Sequence, residues 1–213
     1  MRQQFPDKQS TVREMLRHAT HPHHLRINRH PMLVELIQPD LSLLAYRKLL
    51  ISYSHLYTSL EGRINQYLIQ FSAFQYEERN KLPWLMNDIG FFQNDLPVID
   101  HGVQLDLALP EIESLGQLIG LLYTIEGSTL GGQVISRSLA EYHGLTCTGG
   151  ACFFNGYGER TQMMWQDFLC FAESISGNAS ECCAAVDSAC QAFQLFEQVI
   201  NSLSPEQRIE VSL

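Results

Sequence analysis

The sequence predicts an all-α fold, a compact single-domain helical bundle. Three observations carry that prediction. Apolar residues recur at steps of three and four over long stretches, most plainly at Leu43, Tyr46, Leu49, Leu50, Tyr53, Leu56, Tyr57, Leu60 and Ile64. Capping residues stand where such stretches begin. No convincing strand pattern occurs, since Phe91-Phe92 and Cys152-Phe153-Phe154 are too short to make one.

A chain of 213 residues can bury one substantial core. Its 45% hydrophobic and 17% charged residues are ordinary for a globular protein. With no repeat and no low-complexity linker, residues 1–213 read as one domain, with 1–9 a flexible start and 204–213 a tail.

The elements follow in order. Thr11 to Asn28 reads as a first helix, with Ser10 as its cap. Ser42 caps a long helix reaching about Gln70. Pro83 to Phe92 reads as a shorter helix, and Asp95 to Pro110 as an irregular crossover containing Gly102. Ser114-Leu-Gly-Gln117 is a capping box before a helix reaching about Tyr142. After a Gly- and Thr-rich connection at Gly144–Gly150, Gly158 to Ser176 and Ser180 to Leu203 make two further helices. Ser204-Pro-Glu-Gln207 is a second capping box, with proline at the first helical position, and opens a short terminal helix.

Charge and composition exclude several functions. A net charge of −9 repels phosphate backbones, which argues against a nucleic-acid partner. No stretch supplies the roughly 18 apolar residues of a membrane span. The N-terminus lacks the apolar core of a signal peptide, so a cytoplasmic location is expected. In that setting the six cysteines, with no C-x-x-C pair among them, are expected to be free thiols.

Five of eight histidines fall together: His18, His21, His23, His24 and His30. A solvated helix face is one reading. A zinc-type site needs three or four converging ligands, and His21 and His24 find no Cys, Glu or His set to complete one. A third reading needs a single imidazole, because one neutral histidine can hold heme iron and leave the opposite side open. Leu16, Thr20 and His24 share a stripe at the boundary of the buried face, which favours His24 without deciding the matter.

A second feature is Tyr123-Thr-Ile-Glu-Gly-Ser-Thr-Leu-Gly-Gly-Gln-Val-Ile135. Its flanks favour helix, yet Gly127, Gly131 and Gly132 together cost roughly 3 kcal/mol against alanine. Either a neighbouring helix approaches closely, or the backbone approaches a flat ligand. Ser128 and Thr129 add hydroxyls that bond their own helix or order water.

These residues resemble the heme oxygenase family. Leu16-Arg17-His18-Ala19-Thr20-His21-Pro22-His23-His24 is similar to its L-[KR]-x-A-T-x-x-x-H pattern. Glu126-Gly-Ser-Thr-Leu-Gly-Gly-Gln133 resembles the distal-helix motif of bacterial members, including those that make biliverdin for bacterial phytochromes. Phe153-Phe154-Asn155-Gly156-Tyr157-Gly158 through Thr161 and Trp165, then Gln191-Ala192-Phe193 and Phe196-Glu197, continue the likeness in order. The resemblance implies a heme oxygenase-like bundle that opens heme to biliverdin and releases CO and iron. Heme would be both substrate and cofactor. A ferredoxin or flavodoxin with its reductase would supply electrons, and a bacteriophytochrome is an implied functional partner.

The resemblance selects His24 as the iron ligand and Arg17 as a partner of a heme propionate. It makes Gly127, Ser128, Thr129, Gly131 and Gly132 the catalytic distal segment. Arg137, further along the same helix, is a second candidate for a propionate. Two departures stand out. Many members carry aspartate where this chain has Ser128, and a tyrosine that often holds a propionate is Leu122 here, with Tyr123 beside it. The alternatives are heme storage or delivery without turnover, and a thiaminase-like bundle, for which no constellation stands out. A di-iron site needs Glu-x-x-His, which the chain lacks.

Overall fold

A computed structural model describes residues 11–71, 74–93 and 108–203. Eight α-helices occur among them: α1 Val12–Asn28, α2 Pro31–Glu35, α3 Leu43–Gln70, α4 Leu82–Phe91, α5 Leu115–His143, α6 Cys152–Asn155, α7 Thr161–Ala172 and α8 Ala179–Ser202. Among the described residues there is no strand, only isolated bridges from Thr146 to Gly149 and Gly150, so the all-α expectation holds. The start over 1–9, most of the Asp95–Pro110 crossover and the Ser204 capping box lie outside the described residues, and α1 is capped by Thr11 rather than by Ser10. No helix among those described is long and apolar enough to cross a membrane.

Local chemistry sets the helix ends. The Thr11 hydroxyl accepts from the Glu14 amide while the Glu14 carboxylate accepts from the Thr11 amide, a capping box that opens α1 at Val12. The box expected at Ser114–Gln117 is formed and opens α5. Gly144, at φ 65°, closes α5 in the left-handed conformation that glycine adopts without strain. The helix expected over Gly158–Ser176 is instead α7 flanked by 3-10 turns at Gly158–Arg160 and Glu173–Ile175. Gly158 at φ 58° prevents a regular start.

Two helices were not foreseen, α2 and α6, of 5 and 4 residues. Neither is long enough to show a period. Tertiary partners build α6: the amides of Cys152 and Phe153 donate to the Asp88 carboxylate of α4 at 2.7 and 2.8 Å. Burial pushes that carboxyl up to about 6, against the pull of the two amide bonds.

The core converges on α8. Its Ala185, Ala189, Ala192, Leu195, Phe196, Val199 and Ile200 are buried, and both α1 and α5 pack along it. The α5 contact is backbone to backbone. A Cβ on Gly116 would meet the Glu181 carbonyl, and one on Gly120 would meet the Ala185 carbonyl and the Ala189 nitrogen. The Ser188 hydroxyl donates to the Gln117 carbonyl at 2.8 Å, and the Thr124 hydroxyl to the Ala189 carbonyl at 3.3 Å. These bonds satisfy groups that so close an approach would otherwise bury unpaired.

Candidate functional site

The helix α8 fixes two registers at once. Along α5, Gly116 meets Glu181 and Thr124 meets Ala189, a constant spacing of 65 residues. Along α1, Ala19 meets Cys190, Arg26 meets Glu197 and His30 meets Asn201, a constant spacing of 171. Together these offsets put His24 level with Leu130, between Gly127 and Gly131. Phe193 of α8 lies at that level, with its ring centroid 6.2 Å from that of His24.

The histidine cluster sorts itself by what each ring touches. His23 has Nδ1 2.7 Å from Arg26, which is salt-bridged to Glu197 at 3.0 Å. His30 caps α2 through the Met32 amide and reaches Asn201 at 3.1 Å. His18 and His21 are exposed. His24 is exposed as well, and its Nδ1 lies 3.0 Å from the Asn28 amide one turn on. Burial, then the charge of nearby His21, lowers the His24 pKa and favours the neutral ring.

The small-residue stripe of α5 has two halves. Gly116 and Gly120 press on α8, and the same stripe continues through Gly127 and Gly131. A Cβ at Gly131 would have nothing within 4 Å, and one at Gly127 would meet only the Trp165 ring edge at 3.7 Å. Packing therefore does not require glycine at either position. Gly132 differs: its Cβ would meet the Phe154 carbonyl at 2.8 Å, so close approach of α6 accounts for it. Thr129 also turns inward, buried and donating to the Glu126 carbonyl at 2.6 Å. Ser128 is exposed, donates to the Ile125 carbonyl at 2.7 Å and lies near enough to the Tyr57 phenol to lower its pKa. Burial, then Tyr53 and Glu61, holds that phenol well above its usual pKa. Tyr53, Tyr57, Phe153 and Phe196 pack edge to face beneath, with centroids 5.5 to 6.5 Å apart.

The two arginines stand apart. Burial raises the pKa of the Tyr123 phenol, and Thr20, Arg13 and Arg17 of α1 lie near enough to oppose it. Arg137 donates to the Gln133 carbonyl of its own helix at 3.1 Å. About 21 Å of helix separates Tyr123 from Arg137 at 1.5 Å per residue.

Sequence reasoning missed a buried ionic cluster beside this segment. Glu126, fully buried, accepts from Arg79 at 2.7 Å, Lys81 at 2.8 Å and the Tyr157 hydroxyl at 2.9 Å. The Lys81 ammonium also donates to the Arg79 carbonyl at 2.5 Å and to Tyr157 at 2.7 Å. Burial pulls its pKa down against the charge of Glu126. Only the lone Glu126 inside an apolar run signalled it.

A model of the heme oxygenase family matches residues 10–202. The chain belongs to the heme oxygenase family. Solved heme oxygenases share its fold at low identity. The enzyme from Leptospira interrogans superposes with a TM-score of 0.73 at 17% identity, covering 90% of this chain and 98% of that one. Heme oxygenase from Neisseria meningitidis, solved with NO and CO, gives 0.71 at 19%, covering 91% and 92%. Heme oxygenase-1 from Synechocystis, solved with heme, gives 0.73 at 18%, covering 92% and 94%. No curated protein sequence matches the chain. Within this heme oxygenase fold, α1 is the helix of His24 and α5 the helix of the glycines.

Proposed function

We propose that this heme oxygenase-family chain opens heme oxidatively to biliverdin, with release of CO and iron and with electrons from an external ferredoxin or flavodoxin system. The observation that carries this reading is the shared level, along α8, of His24 on α1 and the bare Gly127–Gly131 stripe on α5. The residues fit heme, because burial favours the neutral form of the His24 imidazole and the Gly127–Gly131 strip leaves room for a flat ligand against the backbone. Bound heme supplies the iron that activates oxygen and the macrocycle that is consumed.

The chain's own groups have distinct tasks. His24 would hold the iron, with the Asn28 side-chain amide beside Nδ1 to set the ring's tautomer. Gly127 and Gly131 admit a flat ring to the backbone. Phe153, Phe193, Phe196 and Tyr53 exclude water. The Ser128 hydroxyl, exposed between Gly127 and Thr129, would offer a proton on the glycine side. Arg17, near the Tyr123 end of α5, and Arg137, about 21 Å further along that helix, would each offer a guanidinium to a heme carboxylate. Thr20 and Tyr123 beside Arg17 add polar partners and favour that end.

The decisive assay adds reductant and oxygen to the heme complex, with biliverdin and CO expected as products. Intact heme at the end would favour binding without turnover. That second reading has an observation behind it: Ser128 is the one hydroxyl of the distal pair not turned into the core. Gly131→Ala separates packing from ligand approach. The heme-free variant is expected to gain about 0.5–1 kcal/mol in a melt from helix propensity. Its heme affinity, titrated at the Soret band, is expected to fall about tenfold, a loss of about 1.4 kcal/mol. Unchanged affinity would mean that the stripe does not meet the macrocycle.

A further inference from the structure

The two halves of α5 are held differently. Residues 116–124 lie against α8, helped by the Ser188 and Thr124 hydrogen bonds. Beyond Gly127 the same stripe is bare, and glycines weaken the helix where that support ends. The flank of α5 roughly 120° away, at 100° per residue, carries Glu126. Three side chains converge on it from outside α5. Arg79 and Lys81 come from the turn before α4, and Tyr157 from the segment after α6. Arg79 is held in turn by the Met164 carbonyl at 3.1 Å, and Tyr157 by the Trp84 ring at 5.2 Å. Glu61 of α3 accepts from the amides of Lys81 and Leu82 and so fixes the turn itself.

Burying four charged side chains is an inefficient way to gain stability, since well-packed apolar residues do as well or better. What such a cluster supplies is a single geometry, because each group has a fixed partner at a fixed distance. We propose that Glu126 is a positioning residue, held by Arg79, Lys81 and Tyr157 as a brace for the glycine-bearing half of α5 at the level of His24. As a statement about heme, this rests on the reading above. As a statement about α5, it stands on the heme-free protein.

Hydrogen exchange of the heme-free chain tests the brace. In Glu126→Gln and in Tyr157→Phe, amides 127–133 are expected to exchange about tenfold faster, with residues 116–124 unchanged. The second readout is the C–O stretch of the ferrous CO complex: one band for the parent, split bands for both variants. Glu126→Gln leaves Lys81 and Arg79 buried without their carboxylate. If it fails to fold, Tyr157→Phe, which removes a single hydroxyl, carries the test. Combining Glu126→Gln with Lys81→Met is then expected to restore soluble protein while keeping the fast exchange. Acceleration spread evenly along α5, or none at 127–133, overturns the proposal. A parent chain that takes up no heme sinks the heme reading and leaves the exchange result to decide the brace.

Discussion

His24→Ala is expected to bind heme at least roughly a hundredfold more weakly, a loss of about 2.7 kcal/mol. The Soret band should become broad and non-specific in a titration. The neighbours offer no ready substitute. His23 is committed to Arg26, and His30 to Asn201 and the Met32 amide. Only His21, three residues earlier and exposed, could share the face. Added imidazole should restore the spectrum by supplying the missing nitrogen to a cavity of the right size. An unchanged Soret band in His24→Ala would move the ligand to His21.

Gly120→Val is expected to cost about 3 kcal/mol or more, enough to remove most soluble protein from a domain of ordinary stability. The first added carbon would already sit on the Ala185 carbonyl and the Ala189 nitrogen. Both are backbone atoms of a buried helix and cannot swing aside, so α8 would have to move. Because α1 shares α8, its register with α5 would be lost as well. Soluble yield and a thermal melt check this. A melting temperature within a few degrees of the parent would show that the α5–α8 contact tolerates more space than its geometry allows.

Much of the fold was legible because long helices announce themselves. Ser42, the Ser114 box and the apolar repeat of α3 mark elements whose bounds hold within a residue or two. The short α2 and α6 were invisible because they exist through partners, such as the Asp88 carboxylate, rather than through a period. The site was legible in its outline only. Among five histidines the helix stripe favoured His24 and the resemblance selected it, while the other contacts of His23 and His30 became visible only in the structure. Three glycines looked equivalent, whereas Gly132 faces a carbonyl and Gly131 faces nothing. Gly116 and Gly120 drew no notice, though a Cβ on either would meet the backbone of α8. The partners of Glu126 lie 45, 47 and 31 residues away, a convergence no local pattern encodes.

The shared helix α8 has a mechanical consequence. Two jaws hung on one rail keep their lengthwise alignment however far apart they swing. Rotation of α1 about its seam with α8 would therefore widen the gap to α5 without sliding His24 past the glycines. Opening and closing that gap would then need one soft hinge coordinate, with the lengthwise alignment of α1 and α5 preserved throughout.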